Sequence, residues 1–260
     1  MTRSSLDDAQ WASLMLVIQR VPRVSKRDEV ALRRFVEAAL WVCRTGAPWR
    51  DLPAAFGHWA SVYHRWRRWC VRGWWEVVFE ALRPPVPAGG LLLIDSTTCK
   101  AHRSAAGAAR STAEAEALGR SRGGTCSKLH ACVDDAGRVL RLIASPGHHS
   151  DLHHAPALVA DLPASDLAAD RGYVSAAFRA GLAALGCTAH IPPKRGMVDP
   201  PPHDAGLYAR RHRVENLFSR LKDSARLALR RDKTRRSWMG FAHLAATMIN
   251  LRIGELGHRP

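Results

Sequence analysis

Four polar residues in the last quarter of the chain are spaced so that a helix would present them together. They are Tyr208, Arg211, Glu215 and Lys222, at offsets of zero, three, seven and fourteen. At about 100° per residue, these positions share an arc of roughly 60°. A carboxylate can bind a hard metal ion, and Arg and Lys bind phosphate. The stripe therefore predicts chemistry on a phosphodiester backbone.

The charge around this stripe supports a polyanionic partner. Residues 208–236 hold eleven Lys or Arg against three Asp or Glu, so they supply +8 of the net +16, and the pI is near 10.7. Nucleic acid is the simplest partner for such a surface, with basic solubility as the alternative. The apolar residues beside the stripe would dock the helix on a core; they are Val214, Leu217, Phe218 and Leu221.

Two further acids follow apolar runs that are typical of buried strands. Asp95 follows residues 91–94, and Asp170 follows residues 167–169. Ligand sites in open α/β sheets lie at the carboxyl ends of strands, so neighbouring strands would bring both acids to one edge. Together with Glu215 they would repel one another unless a cation joined them, and Mg²⁺ suits this donor set. Two such ions could support an in-line displacement; the alternative is that both aspartates only cap turns or helix starts.

The first part of the chain is predicted to be a helical domain. Residues 1–82 hold eight of the nine tryptophans. Within them a predicted short helix, 51–57, ends in glycine and precedes a basic helix, 58–69, which is the pattern of a helix-turn-helix. Arg65 and Arg68 on that helix would contact DNA. The alternative is a tryptophan-packed bundle without DNA contacts, and residues 83–90, rich in Pro and Gly, are predicted to be a linker.

Residues 91–260 are predicted to form a mixed α/β domain. A strand, a hairpin near 128–144, and alternating helices and strands give a sheet flanked by helices. Residues 99–127 are small and polar and are expected to form a mobile loop. The last element is an apolar helix over 238–252 that packs in the core.

The composition also argues against other classes of protein. The six cysteines have no CxxC spacing, no segment resembles a secretory signal, and no apolar run reaches about 18 residues. We expect a cytoplasmic location, reduced thiols and no membrane partner.

These motifs, taken together, resemble the DDE transposases of bacterial insertion sequences, in the group with a Tyr-Arg-Glu-Lys signature. That signature is Tyr208-x2-Arg211-x3-Glu215-x6-Lys222. The first acid lies in Leu-Ile-Asp95-Ser-Thr, and the second in Ala-Asp170-Arg-Gly-Tyr. Other matching pieces run through nearly the whole chain, including 41–53, 62–69, 101–108 and 119–131. The one departure is that Arg171 stands where relatives often have Lys.

The resemblance implies a ribonuclease-H-like catalytic core behind a DNA-binding domain. It implies Mg²⁺-dependent cleavage at the ends of a mobile element, with Mn²⁺ as a substitute, followed by strand transfer into target DNA. The metal ions would be held by Asp95, Asp170 and Glu215. The residues expected to contact DNA are Tyr208, Arg211, Lys222, Arg213, Arg220, Arg65 and Arg68. The partners would be double-stranded DNA, as terminal inverted repeats and target, and a second copy of the chain assembled on paired ends.

Two other functions fit part of this pattern. A DNA-binding regulator would keep the basic helix but would not need Asp95 and Asp170. A metal-dependent nuclease would cleave DNA without joining strands.

Overall fold

The computed structural model describes residues 5–25, 27–86 and 89–256, and for 255 and 256 it describes the backbone alone. The helices in chain order are α1 (Asp8–Ile18), α2 (Glu29–Thr45), α3 (Trp59–Val71), α4 (Trp74–Ala81), α5 (Asp151–Val159), α6 (Ala176–Ala184), α7 (Ala205–Ala209), α8 (His212–Lys222), α9 (Ala225–Ala228) and α10 (Arg235–Leu256). The strands are β1 (Gly90–Ala101), β2 (Gly119–Ser121), β3 (Gly124–Asp134), β4 (Val139–Pro146), β5 (Ala164–Ala168), β6 (Thr188–His190) and β7 (Leu229–Arg230).

The chain forms two compact units whose segments alternate along the sequence. A helical unit comprises Met1–Arg83, Lys100–Glu116 and Leu221–Pro260, and a sheet unit comprises Pro84–Cys99 and Ala117–Arg220. The sequence predicts instead three consecutive parts, 1–82, 83–90 and 91–260. Residues 1–4, 26, 87–88 and 257–260 of those parts lie outside the described residues.

The helical unit is built around its tryptophans. Trp66 is fully buried, and its ring stacks on Phe241 of α10 with centroids 4.0 Å apart. Its indole N–H donates to the Ser237 hydroxyl at 3.0 Å. Helix α10 packs against α2, α3 and α4. The final helix is thus core, as predicted, but the core that it completes is that of the N-terminal helices rather than that of the sheet.

The sheet unit has the mixed α/β architecture that the sequence predicts. Its strands run in the order β2-β3-β1-β5-β6, with β4 also paired to β3. Strands β1, β5 and β6 are parallel, whereas β3 and β4 form an antiparallel hairpin. Side chains of β1 and β5 share one core with α5 and α6, among them Leu92, Ile94, Leu158 and Phe178. This core fixes β1 and β5 side by side.

Three local predictions are wrong. Strand β1 does not end at residue 94 but continues to Ala101, so the predicted loop 99–127 begins in β1, contains β2 and ends in β3. The predicted short helix at 51–57 is two 3₁₀ turns, Trp49–Asp51 and Ala54–Phe56. The predicted helix from residue 208 to 222 is interrupted between α7 and α8.

Among the described residues, no helix combines the length and the apolarity that crossing a membrane requires. All six cysteines are described and buried, and no disulfide joins them.

The close approach of α10 to the tryptophans predicts an unusual effect at Gly240. A Cβ there would lie 2.9 Å from Cys70 Sγ and 3.1 Å from Trp75 Cδ1. Gly→Ala in a helix ordinarily stabilises by about 1 kcal/mol, but overpacking costs about 1–3 kcal/mol. We expect Gly240→Ala to lower the melting temperature of the helical unit, measured by tryptophan fluorescence.

Gly254→Ala is the matched control in the same helix, because among the described residues no atom outside the adjoining helix backbone lies within 4 Å of its added Cβ. It should leave the melting temperature unchanged or raise it slightly. A rise in melting temperature for Gly240→Ala would contradict the close packing.

Candidate active site

Parallel pairing of β1 and β5 brings two of the predicted acids to one place. The last pair in the register is Leu93 with Ala168, and Asp95 and Asp170 each lie two residues further on. Asp170 follows the end of β5, as predicted. Asp95 lies inside β1, so its expected position at a strand end is wrong, but the pairing with β5 has ended before it. The two carboxyl groups therefore lie just beyond the point where the pairing of β5 with β1 ends.

Arg211 joins Asp95 to the third acid. One guanidinium nitrogen, Nη1, donates to Asp95 Oδ2 at 2.7 Å, and Nη2 donates to Glu215 Oε1. Asp95 is 19 % and Arg211 16 % exposed, whereas Glu215 is 52 % exposed. A half-buried cation thus bridges a half-buried carboxylate of the sheet and an accessible carboxylate of α8.

The break between α7 and α8 determines how Arg211 is presented. Arg211 lies in a two-residue turn, where its N–H donates to Tyr208 O and its carbonyl accepts from Val214 N. These bonds span three residues, so the turn is tighter than an α-helix. The Tyr208 ring, at the end of α7, lies 5.9 Å from Arg211 Cζ. The predicted stripe therefore comes from two short helices and a turn.

The apolar side predicted for this segment is confirmed. Val214, Leu217, Phe218 and Leu221 are all buried. Glu215 is carried on the accessible side of α8.

Burial dominates the electrostatics of Asp95. It raises the pKa of the Asp95 carboxyl above its usual range, and the charge of Asp170 raises it further. The Ser96 N–H and Arg211 act in the opposite direction without cancelling the rise. Burial also lowers the pKa of Arg211, but the charges of Asp95 and Glu215 outweigh it and leave that pKa raised. Asp95 and Asp170 thus repel each other in a poorly hydrated place.

Asp170 also has the local role that a simple cap would have. Its Oδ1 accepts from Gly172 N at 2.8 Å and starts the 3₁₀ turn Arg171–Tyr173. A Cβ at Gly172 would lie 2.9 Å from that oxygen, so glycine keeps the carboxylate uncrowded. The adjacent Tyr173 hydroxyl is buried, and burial followed by the charges of Asp151, Asp95 and Asp170 raises its pKa.

The donor set fits a hard divalent cation. Asp95, Asp170 and Glu215 provide oxygen ligands, which Mg²⁺ prefers. The guanidinium of Arg211 pairs with two of these carboxylates, Asp95 and Glu215, and offsets part of their negative charge. The raised pKa of Asp95 indicates that a bound cation would be favourable, since an added positive charge would relieve its repulsion by Asp170.

The other residues predicted to contact DNA have different surroundings. Arg68 and Arg220 are exposed, and Lys222 is the half-buried last residue of α8. Arg213 donates to the Asp135 carbonyl. The Arg65 guanidinium lies 4.8 Å from the Phe35 ring, and burial, then the charge of Arg68, lowers its pKa. Arg65 therefore packs against its own unit in this structure.

The sequence did not link two polar residues, Asp135 and Asp151, to the site. Asp135, in the β3–β4 turn, accepts from Arg210 at 2.7 Å and from Arg213, and so holds the start of α8. Asp151 accepts from the hydroxyl of Ser96, the residue after Asp95. The sequence Asp-Asp-Ala-Gly indicates a hairpin turn, but no local pattern indicates which distant residues that turn contacts.

Comparison with known proteins places these features in a family. A model described as "Putative transposase of IS4/5 family" matches residues 6–79, and two models described as "Transposase DDE domain" match residues 87–199 and 167–252. The protein named "Putative transposase for insertion sequence element IS6501" from Brucella ovis is 42% identical over 130 residues, 48% of this chain and 98% of that protein. "Uncharacterized protein y4sN" from Sinorhizobium fredii is 36% identical over 107 residues, 40% of this chain and 83% of that protein.

The matches to DDE transposase domains define the class of protein as a nucleic-acid-processing enzyme. The chain belongs to the IS4/5 family of DDE transposases.

The raised pKa of Asp95 predicts that its ionised carboxylate lowers the free energy of unfolding. Folding favours its protonated form, so this contribution is fully present below the unfolded pKa of about 3.9 and is lost as pH rises through the higher folded value. We expect Asp95→Asn to melt above the wild type at pH 7.5 in EDTA, by far-UV circular dichroism. The difference should shrink as pH falls towards 4.

Asp161→Asn is the control for the loss of one charge. Asp161 is exposed, and asparagine tolerates its positive φ of 60°. An Asp95→Asn protein that melts below the wild type at pH 7.5 would show that the Arg211 ion pair outweighs burial.

Proposed function

We propose that this protein is a transposase that cleaves DNA at the ends of a mobile element, with Mg²⁺ as cofactor, and transfers the cut strand into target DNA. The observation that carries the proposal is the grouping of Asp95, Asp170, Arg211 and Glu215 around one edge of the sheet unit. Three carboxylates and one arginine can hold both metal and phosphate.

The reaction has two displacements at phosphorus. In the first, water attacks the phosphate at the element end, the bond to the 3′ oxygen breaks, and that oxygen leaves as a 3′-hydroxyl. In the second, this hydroxyl attacks a target phosphate, loses its proton, and displaces the target's 3′ oxygen. The number of phosphodiesters is unchanged in the second step, so no other energy source is needed.

Each residue of the site has a separate task in this proposal. Asp95, Asp170 and Glu215 would hold one or two divalent ions, Mg²⁺ or Mn²⁺, which would activate the attacking oxygen and stabilise the leaving one. Arg211 neutralises two of these acids and presents a fork of donors suited to phosphate. Tyr208 and Lys222 would position the DNA end together with Arg211.

The remaining assignments extend the proposal to the whole chain. The mixed sheet supports a ribonuclease-H-like catalytic core. We propose that the N-terminal helices bind DNA in a helix-turn-helix-like manner through α3, where Arg68 is exposed and Arg65 would have to leave Phe35. Arg213 and Arg220 would add phosphate contacts along α8. The partners would be terminal repeats, target DNA and a second copy of the chain.

One assay distinguishes this function from its two rivals. Purified protein is incubated with Mg²⁺, a DNA duplex ending in the element's terminal repeat, and a supercoiled target plasmid. Cleavage at the repeat and joining to the plasmid are the expected products. Binding without cleavage would favour a regulator, and cleavage without joining would favour a nuclease.

Neutralising any of the three acids should abolish cleavage and spare DNA binding. We expect Asp95→Asn, Asp170→Asn and Glu215→Gln each to reduce cleavage at least about 10³-fold, because each would remove a ligand for a metal that stabilises charge in the transition state. Binding to the repeat, measured by fluorescence anisotropy, should persist. Asp161→Asn is the control, and normal turnover in any acid variant would sink the assignment.

Loss of the cation at the end of α8 should weaken DNA binding in a salt-dependent way. We expect Lys222→Ala to lower affinity for the repeat and to reduce the slope of log K against log salt by about 1. Lys222→Arg keeps the charge and should keep the slope. An unchanged slope for Lys222→Ala would rule out a phosphate contact.

A further inference from the structure

A polar network lies on the face of β1 opposite to that of Asp95 and is linked to Asp95 through the strand. Side chains alternate between the two faces of a strand. Leu92 and Ile94 point into the core shared with α5 and α6, and Ser96 continues that series. Asp95 therefore belongs to the other face, where Arg211 binds it. The backbone of β1 therefore lies between this network and the site.

Ser96 is held by hydrogen bonds to Asp151 and to Asp95. Its hydroxyl donates to Asp151 Oδ1 of α5 at 2.7 Å, and its backbone N–H donates to Asp95 Oδ1 at 2.8 Å. A displacement of Ser96 would move the donor that orients the Asp95 carboxylate. Asp151 is therefore linked to Asp95 through a single residue.

Asp151 is in turn held by a cation from the neighbouring strand. Lys128 of β3 donates from Nζ to Asp151 Oδ1 at 3.0 Å and to His149 O at 2.7 Å. Lys128 and Asp151 are 17 % and 31 % exposed, so this ion pair is only partly solvated. An ion pair in such surroundings is more strongly felt than one on the surface.

A histidine completes the surroundings of Asp151. His130 is fully buried, its Nε2 lies 2.7 Å from Ser145 Oγ, and its Nδ1 lies 3.6 Å from Asp151 Oδ1. Burial, then the charge of His154, lowers the pKa of His130 to about 4, so its ring is neutral at neutral pH. Lys128 is thus the charge that balances Asp151.

We propose that Asp151 is a positioning residue of the active site: held by Lys128, it fixes Ser96 and through it orients Asp95 to bind metal. This inference rests on the proposed function, since it assigns Asp95 to the metal. The Asp151 carboxylate binds Ser96 and Lys128, so the role assigned to it is to position Asp95 rather than to bind the metal. Losing such an outer partner typically lowers metal affinity 10–100-fold.

A purely structural role for Asp151 makes a different prediction. Asp151 stands in the first turn of α5, where a negative charge favours the helix. In that case Asp151→Asn would lower the melting temperature, and Ser96→Ala would leave metal affinity unchanged. Ser96→Ala is therefore the sharper variant, because it cuts the link and keeps the charge on α5.

The test measures Mn²⁺ binding to the full chain without DNA, by calorimetry, and the Mg²⁺ concentration that gives half-maximal cleavage. We expect Ser96→Ala and Asp151→Asn each to weaken Mn²⁺ binding and to raise the Mg²⁺ requirement about tenfold. The double variant should be no worse than either single one, because both break the same link. Ser96→Thr, which keeps a hydroxyl, should restore binding, and Asp161→Asn should behave as wild type.

The outcomes separate this inference from the proposed function. Weakened Mn²⁺ binding in Ser96→Ala with rescue by Ser96→Thr supports the link even if the wild type joins no strands. Unchanged Mn²⁺ affinity in Ser96→Ala, additive losses in the double variant, or no Mn²⁺ binding by the wild type would each overturn it. If Asp151→Asn fails to fold, the Ser96→Ala and Ser96→Thr pair decides.

Discussion

The ion pairs of Arg211 are the interaction on which the site depends. Asp95 and Asp170 are brought together by parallel strands, and their repulsion is increased by burial because charges interact more strongly in a medium of low dielectric. Arg211 offsets part of that repulsion and at the same time fixes the position of Glu215. A single side chain thus couples the sheet, which presents two acids, to α8, which presents the third.

The backbone around Arg211 explains why this coupling is possible. A continuous helix would carry Arg211 and Glu215 on one rigid face. The tight turn between α7 and α8 lets Arg211 reach Asp95 in the sheet while it still bonds Glu215 four residues later. Asp135 stabilises this arrangement by binding Arg210 in the turn and Arg213 in α8. The basic residues of the segment are therefore partly engaged within the protein and are not all directed to solvent.

The sequence predicted well the strands that precede Asp95 and Asp170 and predicted poorly the contacts around them, for physical reasons. Apolar runs before Asp95 and Asp170 are local signals, and they correctly indicated buried strands of one sheet. The extension of β1 to Ala101 was missed because most of residues 95–101 are polar, and polar residues form strands when neighbouring strands pair with them. The break after α7 was missed because helical spacing is the same on both sides of a tight turn. The membership of α10 in the helical unit depends on contacts such as Trp66 with Phe241, which lie far apart in sequence.

The two faces of β1 show how a site with unfavourable charges can be kept rigid. On one face Asp95 binds Arg211, and on the other Ser96 binds Asp151, which in turn binds Lys128. A carboxylate whose pKa is raised by burial would gain hydration by moving outwards, so its position has to be imposed by the strand that carries it. Leu92 and Ile94 anchor that strand by packing, and the Ser96 hydroxyl anchors it by a directed bond at the position where packing gives way to polar contacts. Since the hydrogen bond from Ser96 N–H also orients Asp95, rigidity of the strand and orientation of the acid have the same origin.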